Sequence, residues 1–277
     1  MKANNLAISV PNYGCSKNCP YCISKMTGYK DKNLGMFYRN MGKVVKMAEI
    51  AQVNNVIITG KGEPLFDEDS INQVIQVAKF FREYPLEIQT NGKRLLNYPE
   101  LMDRLYLEGI NTIAVSVDNE KQMNDIVDLF PEIHRLGMLV RLTFNITDMF
   151  EGITFETMLC YCTEHNIDQL SIRKITTPSI VKDTPDSWKA FNWIAKHGAQ
   201  ELYDDINMEL KQAILSNSTK LSTLSFGATI FDIEGIAVTI FDHCIQESNM
   251  EDDIRSLIYE EDGHLYYTWD SPASKIF

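Results

Sequence analysis

The chain has 277 residues, 44% of them apolar and 23% charged, with a formal net charge of −12. That length can bury one large core, or one core with a smaller appendage. No run of about eighteen apolar residues offers a membrane-spanning helix, and an acidic chain repels phosphate backbones, which disfavours extended DNA or RNA as a partner.

The opening Met1-Lys2-Ala3-Asn4-Asn5 has one positive charge and no long apolar stretch behind it, unlike a secretory signal. The expectation is a cytoplasmic protein in a reducing compartment. The first strand is predicted at Leu6–Val10, followed by the run Cys15-Ser16-Lys17-Asn18-Cys19-Pro20-Tyr21-Cys22. A basic stretch behind it (Lys25, Lys30, Lys32, Arg39, Lys43, Lys46) reads as solvated surface or as a docking face. A helix over Lys43–Val53 leads to a strand at Val56–Thr59, and a helix over Ser70–Glu83, apolar at i, i+3, i+4 and i+7, leads to a strand at Leu86–Thr90. Asn97-Tyr98-Pro99 is expected to open the next helix and Gly109 to close it. A strand at Thr112–Val117, a helix over Gln122–Arg135, a strand at Leu139–Ile146, a helix over Phe155–His165 and a strand at Gln169–Ile175 complete the series.

This alternation implies right-handed βα crossovers and a parallel sheet. Beyond Ile175 the rhythm changes: Pro178 and Pro185 bracket a linker-like loop, and helices follow over Asp186–Lys196 and Gln200–Leu215. Strand-like runs lie at Thr223–Asp232, Ile236–His243, Ile254–Glu260 and His264–Trp269, with hairpin signals at Glu234-Gly235 and Asp262-Gly263. The expectation is a barrel over 1–177, and over 178–277 two helices and a small antiparallel β element packed on it.

Soft thiolates in a C-x₃-C-x₂-C run favour an iron–sulfur cluster or zinc. Three cysteines in eight residues cannot all pair as disulfides. Zinc would want a fourth Cys or His at matching spacing, and Cys160, Cys162 and Cys244 do not repeat the pattern. Three ligands on a four-iron cubane leave one iron open for chemistry.

The run resembles the C-x₃-C-x-aromatic-C motif of the radical S-adenosylmethionine (radical SAM) superfamily, with Tyr21 as the aromatic residue. The resemblance implies an α/β fold, a partial (β/α)₆ TIM-like barrel with a small C-terminal α+β extension. It also implies a single [4Fe–4S] cluster on Cys15, Cys19 and Cys22, with SAM chelating the open iron. Reductive cleavage of SAM to a 5′-deoxyadenosyl radical would follow, fed by a one-electron donor such as flavodoxin or ferredoxin.

Parallel α/β folds deliver functional residues at the C-terminal ends of their strands. There, Thr59-Gly60-Lys61-Gly62-Glu63-Pro64 resembles the family's Gly-Gly-Glu-Pro motif. This implies that Gly60, Gly62 and Glu63 hold the SAM amino group, although Lys61 stands where the first glycine usually does. Asn91, in Thr90-Asn91-Gly92, implies a pocket-lining amide or an ordinary turn. Ser116 and Asp118 share one strand face, and the resemblance puts them on SAM; alternatively, Asp118 caps the following helix. Arg141 and Asn145 share a face of the fifth strand, and the sixth offers Arg173 or Lys174. Barrel-facing arginines suit a SAM or substrate carboxylate, with a structural ion pair as the equal alternative. The resemblance sets the backbone of Tyr21 on the adenine.

The resulting expectation is an enzyme that abstracts hydrogen from a small molecule such as a nucleoside, nucleotide or cofactor precursor. Alternatives are a peptide- or protein-modifying member, a glycyl-radical-enzyme activase and a non-catalytic iron–sulfur or zinc protein. The short distance from Met1 to Cys15 suggests no N-terminal recognition domain, and the remaining cysteines suggest no second cluster. The aromatic tail Tyr266-Tyr267-Thr268-Trp269 either helps to close the barrel or packs as a terminal hairpin.

Overall fold

The computed structural model describes residues 2–178, 181–224, 229–241, 253–269 and 271–277. Six strands form the expected parallel series: β1 (Lys2–Ser9), β2 (Asn55–Thr59), β3 (Leu86–Thr90), β4 (Ile110–Val117), β5 (Leu139–Ile146) and β6 (Gln169–Lys174). Between them lie α1 (Ile23–Thr27), α2 (Leu34–Ile50), α3 (Glu68–Phe80), α4 (Lys93–Asn97), α5 (Glu100–Leu107), α6 (Glu120–Asp125), α7 (Leu129–Arg135) and α8 (Phe155–Glu164).

Period-2 alternation sorts the strand side chains into two layers. Leu6, Ile8, Val56, Ile58, Leu142 and Phe144 point outward into the helical layer and are fully buried there. The opposite faces look into the barrel and carry smaller or polar side chains, among them Asn5, Ala7, Gln89, Ser116, Asn145 and Ser171.

Two helical expectations need correction. Asn97 does not cap a helix; it ends α4, and α5 begins after Pro99. The stretch Gln122–Arg135 is two helices, because Pro131 has no N–H to donate and is accommodated only within a first turn, here that of α7.

The C-terminal region contains α9 (Pro185–His197), α10 (Gln200–Asn217), β7 (Ser218–Thr223), β8 (Thr229–Ile233), β9 (Ile236–Phe241), β10 (Asp253–Tyr259) and β11 (Leu265–Tyr266). Both signalled hairpins exist: β8–β9 turns at Glu234-Gly235, and β10–β11 turns at Asp262-Gly263. The strands do not form one antiparallel element, however. β9 pairs parallel with β6, and β10 pairs parallel with β1. The sheet order is β11-β10-β1-β2-β3-β4-β5-β6-β9-β8-β7, so eight consecutive strands, β10 to β9 in that order, are parallel. A six-stranded array leaves unpaired N–H and C=O groups along β1 and β6, and β10 and β9 satisfy them. Among the described residues no helix is long and apolar enough to cross a membrane.

Candidate active site

The C-terminal ends of the strands open on a cavity of about 1210 Å³. Cys15, Cys19, Cys22, Tyr21, Gly60, Gly62, Glu63, Asn91, Ser116, Asp118, Arg141, Asn145 and Arg173 all line it. Every site residue expected from the sequence therefore meets one space.

The cysteine loop is fastened to the turn after β2. Gly62 N–H donates to Asn12 O (3.1 Å), and Glu63 N–H donates to Gly14 O (2.8 Å). A Cβ on Gly62 would stand 2.3 Å from Gly14 O, so glycine is required here for loop-to-loop contact. Asn12 closes the arrangement: its amide donates to Glu63 O (2.6 Å), and its carbonyl accepts from Gly14 N–H (2.8 Å). Sequence reasoning passed over Asn12, although Asn12-Tyr13-Gly14 carries an Asx-turn signal.

Glu63 is buried, and its carboxylate turns into the protein. It accepts from Thr90 Oγ1 (2.6 Å), Leu65 N–H (3.1 Å) and Asn91 N–H (2.9 Å). Burial raises its pKa, and these hydrogen bonds, led by that of Thr90, counter the rise. Asn91 accepts from Lys93 N–H (3.0 Å), and its amide reaches Ser16 Oγ (3.4 Å) on the cysteine loop. Lys61 turns away from the loop glycines: its ammonium reaches Thr27 Oγ1 (3.3 Å) and lies 5.8 Å from the Trp269 ring centroid.

Asp118, only 8% exposed, joins the cysteine loop to β5. It accepts from Lys17 Nζ (2.8 Å), Asn145 Nδ2 (3.0 Å) and the Tyr21 hydroxyl, and the Cys19 thiol lies 3.8 Å away. Helix α6 is capped by Asn119, whose side chain accepts from Gln122 N–H (2.9 Å), so the capping alternative for Asp118 does not hold. Behind the loop, the Trp193 ring of α9 packs tilted against Tyr21 (ring centroids 5.4 Å apart), and Ser187 Oγ donates to Lys25 O (2.7 Å). No local signal in the sequence links α9 to the cysteines.

Arg141 sits lower. It lies four residues before Asn145 on β5, about 13 Å along a strand. Its guanidinium pairs with Glu87 of β3. On β6, Arg173 lines the cavity and Lys174 does not. The basic stretch largely folds onto its own chain: Lys30 lies 3.6 Å from Glu260 Oε1 and 3.3 Å from the Tyr266 ring centroid, and Lys46 pairs with Glu49.

The three loop cysteines are unbridged. Burial raises the Cys15 pKa and pushes that of Cys19 up to about 12. The sulfurs also act on one another: Cys22 raises Cys15, and both Cys15 and Cys22 raise Cys19. Among the described residues no three such side chains converge on a single metal ion. A cubane asks for something different, one thiolate on each of three irons around a cluster, and three neighbouring soft ligands fit that demand. A bound metal ion's own charge would displace the thiol protons. Cys160 is exposed and Cys162 buried on α8, so they face apart; Cys244 lies outside the described residues.

A barrel with three cysteines in the loop after its first strand defines a class, and comparison with known proteins names it. Residues 9–158 match the Radical SAM superfamily, and the chain belongs to it, a superfamily of enzymes that use a [4Fe–4S] cluster and S-adenosylmethionine. The chain is 28% identical over 137 residues to GTP 3′,8-cyclase of Clostridium acetobutylicum, spanning 50% of this chain and 40% of that one. It is 20% identical over 197 residues to 7-carboxy-7-deazaguanine synthase of the same organism, spanning 62% of this chain and 86% of that one. Among solved structures, Streptococcus suis SuiB bound to S-adenosylmethionine shares the fold, with a TM-score of 0.58, 16% identity, and coverage of 95% of this chain and 60% of that one.

Proposed function

We propose that the chain cleaves SAM reductively and directs the resulting radical to a small-molecule substrate of nucleoside, nucleotide or cofactor-precursor type. The observation that carries this reading is the convergence of the three cysteines, the Gly62–Glu63 turn and the ends of β3 to β6 on one cavity. The named activities of the two curated relatives, a GTP cyclase and a deazaguanine synthase, support the small-molecule side of it. The fold likeness to SuiB supports no choice of substrate.

In this reading Cys15, Cys19 and Cys22 hold the cluster, and Gly60, Gly62, Asn91, Ser116, Asn145 and Arg173 face SAM. When bound there, the cluster and SAM would supply the radical chemistry for hydrogen abstraction. The chain's residues do the rest. Asp118 holds the cysteine loop through Lys17 and Tyr21. Glu63 fixes the end of β3 through Thr90 and Asn91. The barrel wall, Trp269 included, surrounds the reacting centre. A flavodoxin- or ferredoxin-like donor in the cytoplasm supplies the electron.

The test is to reconstitute the protein anaerobically, add SAM and dithionite, and quantify 5′-deoxyadenosine by mass spectrometry. Product is expected from the wild type and none from the Cys15/Cys19/Cys22 triple alanine variant. Equal product from that variant would refute the assignment.

A further inference from the structure

We propose that Lys61 and Trp269 form the corner of the cavity that selects the substrate, and that this corner takes a ring-bearing oxyanion, with the ring on Trp269 and the carboxylate or phosphate on the Lys61 ammonium. This deepens the reading above and rests on it.

Two features that the superfamily pattern does not supply meet here. Lys61 stands where the motif after β2 usually carries a glycine, and Trp269 lies outside the matched residues 9–158. The fold nevertheless brings the Lys61 ammonium to 5.8 Å from the Trp269 ring centroid. Both residues line the cavity, and so does Thr27.

The backbone on each side of the corner is held. Ser24 Oγ donates to Lys61 O (2.5 Å), and the N–H of the next residue, Gly62, donates to Asn12 O (3.1 Å). Trp269 ends a segment tied to the C-terminal residues, where Tyr267 N–H donates to Ser274 O (3.0 Å) and Thr268 N–H donates to Ser274 Oγ (3.2 Å). Ordering a long lysine side chain costs conformational entropy, and one neutral hydroxyl, Thr27 Oγ1 at 3.3 Å, offsets little of it.

No neighbour neutralises the ammonium either. Among the described residues no carboxylate pairs with Lys61, whereas Lys17 is taken by Asp118 and Arg141 by Glu87. Glu260 feels the Lys61 charge, but burial pushes the Glu260 pKa up to about 8, so near neutral pH it is mostly the uncharged acid. An ammonium without a carboxylate partner attracts a carboxylate or phosphate as a point charge, and the flat indole beside it gives a ring a stacking face. Lys61 follows the C-terminal end of β2, and Thr27 closes α1, about 7–8 Å of helix beyond Cys22. A ring held here therefore lies at the cysteine end.

The experiment is titration calorimetry on the full reconstituted chain, with SAM present and no reductant. Two probe pairs, nicotinate with nicotinamide and uridine monophosphate with uridine, separate a carboxylate from a phosphate. The wild type is expected to bind the anion of one pair at least about tenfold more tightly than its neutral partner. Lys61→Gln should erase that preference, and Lys61→Arg, which keeps the charge, should retain most of it. If Lys61→Gln does not fold, Lys61→Met, uncharged and of similar length, takes its place. Trp269→Leu should weaken both members of the pair alike, by about threefold or more. SAM affinity, titrated in parallel, should not change in Lys61→Gln. No preference for either anion in the wild type, or a preference that survives in the folded uncharged variant, overturns the corner. Weakened SAM binding with the preference intact assigns the ammonium to the cofactor's carboxylate and overturns it as well. 5′-Deoxyadenosine from the wild type without the anion preference sinks the corner alone. The preference without 5′-deoxyadenosine keeps the corner and sinks the radical reading.

Discussion

The resemblance gives Tyr21 a role through its backbone, on the adenine. Its hydroxyl, however, donates to the buried Asp118 carboxylate. A hydrogen bond to a charged group contributes about 1.5–3 kcal/mol. Tyr21→Phe should therefore lower unfolding stability by about that amount, read by chemical denaturation of the cluster-free chain; an unchanged midpoint would remove the hydroxyl from the account. Legibility at this scale follows chemistry. Cys15, Cys19 and Cys22 could be read because thiolates at that spacing have few other uses. Asp118 could be placed on an inward face but not assigned a partner, since Lys17 and Asn145 reach it from positions 101 and 27 residues away. Arg141 was read as inward, but its depth below Asn145 and its pairing with Glu87 depend on register between strands, which local alternation does not state.

Among the elements, α9 has the least predictable task. Its Thr184 cap and Pro185 start are ordinary helix signals. What they do not announce is that Trp193 covers Tyr21 and Ser187 bonds the backbone of α1. Trp193→Ala should cost about 2–3 kcal/mol, less than a fully buried tryptophan, and should lower iron retained after gel filtration. Trp188→Ala, on the exposed side of the same helix, should lower neither. Equal loss in both variants would show that α9 matters only as a whole. The six central strands were legible to within a few residues, because their outward faces repeat buried apolar side chains at every second position. The fate of β9 and β10 was not. Hairpin residues specify the antiparallel partner across the turn, whereas the parallel partner on the other edge depends on which strands of the distant barrel lack neighbours.

For the whole molecule, closure at β1 carries a pH cost. Glu260 and Glu261 follow β10 and are fully buried. Burial pushes the Glu260 pKa up to about 8, against the pull of Lys61 and Lys30, and the Glu261 carboxylate beside it adds to the rise. The folded chain thus holds a proton that the unfolded chain releases near its ordinary value of 4.5. Stability contributed by this group is full below that value and is lost as pH climbs towards about 8. Glu260→Gln should flatten the fall in unfolding free energy across this window by about 1 kcal/mol or more, measured by denaturation at stepped pH. Parallel slopes for the two chains would assign the pH dependence elsewhere.

The pairing of β1 with β10 also has a meaning in time. Ser9 Oγ donates to Glu261 Oε2 (3.2 Å), and Lys30 N–H donates to Glu261 Oε1 (3.1 Å). The stretch that carries the cysteines is thus braced on both flanks by a residue made some 250 positions later, the separation of Ser9 and Glu261 being 252. At ribosomal speeds of about 5–20 residues per second, Cys15 leaves the exit tunnel roughly 12–50 s before its brace does. During that interval the nascent chain shows three thiols on an unfinished barrel. Metal delivered then meets a flexible peptide, and metal delivered after release meets a shaped socket.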